Sequence, residues 1–136
     1  MVKQAVSRSS DEEKSLYQLI GKSRITRLAD AFIQRVISDS TIALNPFLAR
    51  VFRDHTPESL VEIVTNYLIF ATGGKAKNPE FANLKEALNI QYWEWDLAAA
   101  YFDDAMVKVR ISVKIRDRIT TGIAIPLRQK LVTDNR

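Results

Sequence analysis

The chain of 136 residues predicts an all-α fold in a single domain. Three observations carry that expectation. Apolar residues recur at steps of three and four through most of the chain, which lines them up along one side of a helix. Two capping side chains stand directly before a proline, Asn45-Pro46 and Thr56-Pro57, the arrangement with which helices open. No apolar run approaches the roughly 20 residues that cross a bilayer, so the helices must bury their stripes against one another. A chain of this length can bury roughly two-thirds of the surface its unfolded form exposes, and it needs no cross-links to do so.

The elements follow in order. Met1 to Ser10 is expected to be a loose polar tail (1–10) ahead of one domain (11–136), and it lacks the apolar stretch of a secretion signal. Ser10 and Glu13 have the spacing of a capping box, predicting a helix through Leu16, Tyr17, Leu19 and Ile20 that stops near Gly21. A second helix begins about Ser23, with Ile25, Leu28, Ala29, Phe32, Val36 and Ile37 on its stripe. Asn45-Pro46 opens a short turn over 47–52. Thr56-Pro57 opens a long helix whose apolar face is Leu60, Val64, Tyr67, Leu68 and Ala71, closed by Gly73-Gly74 and an exposed loop over 75–78. Pro79-Glu80 begins a short helical piece ending near Leu88, and an aromatic- and alanine-rich helix runs from Tyr92 to Val109. The last helix, 113–132, carries Ile115, Ile119, Ile123, Leu127 and Leu131 every fourth position, a stripe that drifts around the axis. Pro126 lies inside it and should bend or locally break it. Val107 to Ile115 alternates apolar and polar with period two, the pattern of a strand. A lone strand would have nothing to pair with, so this stretch reads as a helix end, a tight corner and the next helix start.

Composition removes most chemistry. There is no cysteine, hence no disulfide, thiolate metal site or cysteine nucleophile. A single histidine, His55, leaves neither the usual zinc sites nor a nucleophile–histidine pair, and it is expected beside a helix cap at the surface. Asp103-Asp104, and Glu94 with Asp96, read as a solvated helix face rather than carboxylates opposed across a cleft. Gly73-Gly74-Lys75 lacks the spacing of a phosphate-binding loop. No enzymatic activity is expected.

Binding signals are clearer. Trp93 and Trp95 lie two positions apart, about 200° around a helix, so one core-facing stripe cannot take both. An exposed tryptophan is typical of interface anchors, which makes Trp93 a contact candidate; filling of interior space is the alternative. From Val107 onward, eight basic residues stand against Asp117 and Asp134, in a chain of net charge +4. Lys108, Arg110, Lys114, Arg116 and Arg118 are candidates for docking to a protein with an acidic surface. Nucleic acid is disfavoured because the aromatics are not interleaved with these charges. The expected setting is intracellular and soluble, with no membrane span.

Several short stretches share a further pattern. Ser15-Leu16-Tyr17 with Ile20-Gly21, Ala31 to Val36, and Asn45-Pro46-Phe47-Leu48 occur in the first half of the chain. Tyr67-Leu68 with Ala71-Thr72-Gly73-Gly74, Leu84 to Ile90, and Ile125-Pro126-Leu127-Arg128 follow. In combination, over about Ser15 to Val132, they resemble the truncated globin family. The resemblance implies a globin-like, truncated two-over-two helical sandwich, with Trp95 at a core aromatic position. It also implies a haem, whose iron takes a proximal imidazole. Here that imidazole falls between Ala87 and Leu88, or Leu88 stands in its place, and the tyrosine that faces bound gas falls at Ile33. An isoleucine has no donor. The departures imply a haem-free scaffold or interaction protein without cofactor, a subunit or adaptor of an assembly or a self-associating protein. The alternative is a haem-binding globin for oxygen or nitric oxide with an unusual axial ligand, His55, Tyr67 or Tyr92. A third reading keeps the cavity for another apolar ligand.

Overall fold

A computed structural model describes residues 14–77 and 84–133. The expected polar tail and the helix starts at Ser10 and Pro79-Glu80 lie outside them. The described residues form helices α1 (Leu16–Ile20), α2 (Lys22–Ile37), α3 (Pro46–Asp54), α4 (Pro57–Ala71), α5 (Leu84–Leu88), α6 (Tyr92–Lys108), α7 (Val113–Ile119) and α8 (Ile125–Leu131). A 3₁₀ turn (Ile42–Leu44) precedes α3 and a π turn (Thr120–Ala124) joins α7 to α8. The all-α class is as the sequence predicts. Among the described residues the one β-type pairing is an isolated parallel bridge between Ile90 and Val132, and no helix is long and apolar enough to cross a membrane.

Helix α1 corrects one expectation. Ser15, not Ser10, caps it: the Ser15 hydroxyl accepts from Gln18 N at 3.1 Å and the Gln18 side chain accepts from Ser15 N at 3.0 Å. That reciprocal pair opens the helix at Leu16 and leaves Lys14 and Ser15 outside it. Asn45 and Thr56 cap α3 and α4 as expected, Asn45 Oδ1 accepting from Phe47 N and Leu48 N, Thr56 Oγ1 from Ser59 N.

Helix α2 is central. It buries Ile25, Leu28, Ala29, Ile33 and Val36, and packs chiefly against α4 and α6. Leu68 and Ile69 of α4, Ala105 and Met106 of α6, and Ile119 and Ile123 complete the interior. Phe32 and Phe102 meet edge to face, centroids 5.4 Å apart. The face that α4 turns inward includes the expected one: Leu60 and Leu68 are buried, Val64, Tyr67 and Ala71 are half-buried against the core, and Thr65 and Ile69 are buried in addition. Thr65 is the exception among apolar neighbours. Its hydroxyl, on a residue only 8% exposed, is the single fully buried side-chain polar atom without a partner among the described residues. Removing an unsatisfied hydroxyl while keeping its shape relieves a desolvation penalty. Thr65→Val is therefore expected to raise unfolding free energy by about 1 kcal/mol, read from the urea midpoint at unchanged slope.

Helix ends explain the remaining patterns. Gly73 takes the left-handed conformation (φ +100°) after α4, with Gly73 N bonded to Phe70 O and Gly74 N to Ile69 O. A side chain at Gly73 would strike Ser15, and one at Gly74 would strike Ile69 and Tyr17, so the double glycine is where α1 docks. The period-two stretch is a corner of the same type. Arg110 adopts φ +66°, Arg110 N bonds Val107 O and Ile111 N bonds Met106 O, turning Val109 and Ile111 inward. A left-handed arginine costs roughly 1–2 kcal/mol. Two guanidinium groups hold it: Arg24 donates to Arg110 O at 3.0 Å and Arg116 donates to Ile111 O at 2.7 Å. Pro126, lacking an N–H, is absorbed by the π turn just ahead of it, where Ile125 N reaches Thr120 O. The last helix widens for one turn instead of breaking.

A polar cluster fixes the far end of α2. Asp39 accepts from Thr41 N and Ile42 N and, through Oδ2, from the Tyr101 hydroxyl, while the Arg35 guanidinium lies 4.3 Å over the Tyr101 ring. The Tyr101 hydrogen bond, followed by that from Ile42 N, holds the Asp39 carboxyl below its ordinary range, and the same bond raises the Tyr101 hydroxyl. A lowered carboxyl stabilises the fold above its unfolded value near pH 3.9 and loses that contribution as pH falls toward the folded value. The raised hydroxyl contributes below about pH 10 and loses its share as pH climbs through the folded value. Asp39→Asn is expected to be less stable than wild type at pH 6, with the gap narrowing below about pH 4. Urea midpoints across pH 2–6 measure it, and a constant gap would refute the assignment.

Candidate functional site

The sequence singled out two binding signals, Trp93 and the basic carboxy-terminal third, and the fold sets them apart. Trp93 lies in the first turn of α6, Lys108 at its end, about 22 Å away along the axis at 1.5 Å per residue. They do not converge on one site.

Around Trp93 the surface is apolar and indented. Trp93 is 48% exposed, and Leu44 at 78% and Phe47 at 37% flank the same cleft. The cleft, of about 220 Å³, lies where the 3₁₀ turn and the start of α3 meet the segment between α5 and α6. Asn45 and Glu94 line it as well, and both are buried.

Glu94 is a correction. Expected with Asp96 on a solvated face, it is 4% exposed, and only Asp96 lies outside. The reason is its place in the third position of α6. There its Oε1 accepts from Gln91 N at 2.9 Å, tying off the start of the helix, and from Asn45 Nδ2 at 3.0 Å. Asn45 Nδ2 also lies 3.2 Å from Leu88 O and 3.0 Å from Asn89 O, so one amide joins the start of α3, the end of α5 and the start of α6. Asn89 itself turns the chain in the left-handed region (φ +48°), a conformation asparagine tolerates. Sequence reading found Asn45 as a cap and missed this second use. The available signal was a glutamate three places after Gln91, read as a surface acid because its partner is 49 residues away.

The basic face lies at the corner between α6 and α7. Lys108, Arg110, Lys114 and Arg118 are exposed, with exposed Val107 and Val113 between them. Arg116 is half-buried, and its guanidinium also donates to Ile111 O at 2.7 Å. Arg118 also borders a second, more open hollow of about 570 Å³ beside the π turn, lined by Leu16, Ala71 and Gly122.

The candidate axial ligands stand on three elements. His55 ends α3 in an exposed position, its Nδ1 3.0 Å from Val51 O of its own helix. Tyr67 is half-buried on α4, and burial pushes its hydroxyl above the ordinary value. Tyr92 opens α6 with the Arg128 guanidinium 4.4 Å over its ring. Ile33, at the position where the resemblance puts a tyrosine, is 5% exposed in the core, and Leu88 is half-buried at the end of α5. Trp95 is half-buried. Among the described residues no group of three histidines or carboxylates could hold a metal ion. Comparison with protein-family models and with curated proteins gives no match for this chain.

Proposed function

We propose that this chain is a haem-free, globin-like scaffold of the truncated two-over-two type, acting as an interaction subunit or adaptor and not as an enzyme. The observation that carries the reading is an exposed Trp93, flanked by exposed Leu44 and Phe47, at a start of helix whose polar groups are otherwise tied down. Large apolar groups gathered on one rim favour a partner surface over solvent. The second contact is the basic corner of Lys108, Arg110, Lys114 and Arg118, suited to an acidic protein surface.

Support for the absence of haem comes from the donor set. Iron needs an axial nitrogen, sulfur or phenolate held inside the fold. The chain's one imidazole, His55, lies at the surface against its own helix, and Ile33 offers no donor. Neither position supplies the nitrogen ligand or the gas-facing hydroxyl of the family, and the phenols Tyr67 and Tyr92 are the oxygen donors left for the haemin test. The packing of α2 between α4 and α6, with apolar side chains from all three, supports a filled interior.

The test has two arms. Haemin added to purified protein is expected to give the spectrum of free haemin, and a sharp Soret band lost on substituting Tyr67, Tyr92 or His55 would return the chain to gas binding. Trp93→Ala is expected to abolish co-purification of the native partner, or self-association, while the urea midpoint stays within about 0.5 kcal/mol of wild type. Loss of folding instead would make Trp93 a core residue.

A further inference from the structure

We propose that the Trp93 cleft is a receptor for a basic side chain, a lysine of the partner protein, with Glu94 as its counter-charge. This rests on the reading of Trp93 as an interface anchor and names what the anchor receives. Glu94 is the unusual element. A carboxylate on a residue 96% buried normally has a cation beside it, because desolvating a charge is costly. No lysine, arginine or histidine pairs with Glu94 among the described residues. Its Oε1 is occupied by the two neutral donors Gln91 N and Asn45 Nδ2. Its Oε2 accepts from none of the described residues, and Glu94 lines the cleft. The two neutral donors take up part of the charge and leave Oε2 without a donor among the described residues, on a residue that borders the cleft.

The walls suit the same guest. Trp93 and Phe47 present aromatic surface, which attracts a cation over the ring face, and Leu44 and Pro46 can receive an aliphatic stem. A lysine combines a four-carbon stem with a compact ammonium. Arginine fits less well, because its fork pairs best with two carboxylate oxygens and only one is free. The volume of about 220 Å³ corresponds to roughly seven waters at about 30 Å³ each, enough for one side chain and not for a folded segment. The cleft is therefore a socket within a larger contact, complementary to the basic corner at the other end of α6: one end offers positive charge, the other receives it.

The probe is N-acetyl-lysine amide, titrated into the ¹⁵N-labelled full chain and followed at the Trp93 indole and at the Gln91 and Glu94 amides. N-acetyl-norleucine amide serves as the uncharged control and N-acetyl-arginine amide as the alternative cation. Saturable shifts confined to these signals are expected with the lysine probe, with affinity at least about tenfold above norleucine and above arginine. Glu94→Gln keeps the acceptor oxygen and removes the charge, so it should erase the preference for lysine over norleucine. If that variant does not fold, Trp93→Ala and the two control ligands carry the comparison. Equal shifts from lysine and norleucine, or no shift at any of these groups, overturn the proposal. Should Trp93→Ala lose the native partner while the lysine probe gives nothing, the scaffold reading stands and the socket falls. Should haemin bind while lysine shifts persist, the reverse holds.

Discussion

Asn45→Ala is expected to destabilise the protein by about 2–4 kcal/mol, far more than loss of a helix cap alone, which costs about 1 kcal/mol. The excess comes from Nδ2. Removing it strips Glu94 Oε1 of one of its two donors and leaves the Leu88 and Asn89 carbonyls without the amide that lies 3.2 and 3.0 Å from them. A buried group left unsatisfied costs about 1–3 kcal/mol. Asn45→Asp separates the two roles. It keeps the acceptor for Phe47 N and Leu48 N but sets a second carboxylate where the amide now touches Glu94. Two carboxylates at hydrogen-bond distance share a proton readily, so the folded state of this variant binds protons more tightly than the unfolded one. Its stability should therefore rise as pH is lowered from 7 toward 5, opposite to the trend that the lowered Asp39 carboxyl gives wild type in acid. Urea midpoints of the three proteins at pH 5 and pH 7 measure both effects. An alanine variant within about 0.5 kcal/mol of wild type would show that Asn45 is only a cap.

Leu28→Ala is expected to cost about 3 kcal/mol, within the 2–5 kcal/mol range for removing a fully buried leucine, and to lower the melting temperature by roughly 10 °C. Leu28 is 1% exposed in the cluster where α2 meets α4 and α6. Ala29 beside it has no exposure at all, a small residue where the helices approach closely, so little side-chain volume is at hand to fill the space. The expected effect sits at mid-range for that reason. Arg27→Ala, one position away on the exposed side of the same helix, serves as the control and should change stability by less than about 0.5 kcal/mol. A comparable loss from both would mean that α2 is destabilised as a helix and not through its buried face.

Much of the scaffold was legible because its signals are local. Asn45 and Thr56 cap their helices through N–H groups two or three residues on, and a proline behind each fixes the start. The stripe of α2 emerges from spacing alone. Val107 to Ile115 was read correctly as a corner, because a strand without a neighbour has no partner for its backbone, and the left-handed Arg110 lets two inward residues sit two apart. The rotation of about 200° between Trp93 and Trp95 shows that one stripe cannot hold both, and leaves open whether Trp93 is exposed or fills interior space; it is exposed and Trp95 half-buried.

What failed depended on contacts between distant segments. The helix through Leu16 and Ile20 is capped by Ser15 instead of starting further upstream, and it docks where Tyr17 N bonds Thr72 O at 2.8 Å beside a double glycine with no room for side chains. On α4, Thr65 and Ile69 are buried beside the expected face, which widens it beyond what spacing shows. Spacing alone did not show that Arg116 donates to Ile111 O across the corner. Glu94 looked solvated until α3 supplied Asn45.

The amino-acid order by itself determined the helical class, the helix boundaries set by proline caps and glycine ends, and the exclusion of thiol and histidine-pair chemistry. These depend on hydrogen bonds and steric limits within a few residues of one another. Only the tertiary structure decided which acid is buried and that Arg24 and Arg116 donate to the backbone of the corner after α6. Burial of a charge is a property of everything that surrounds it, and its surroundings are assembled from residues that no local pattern brings together.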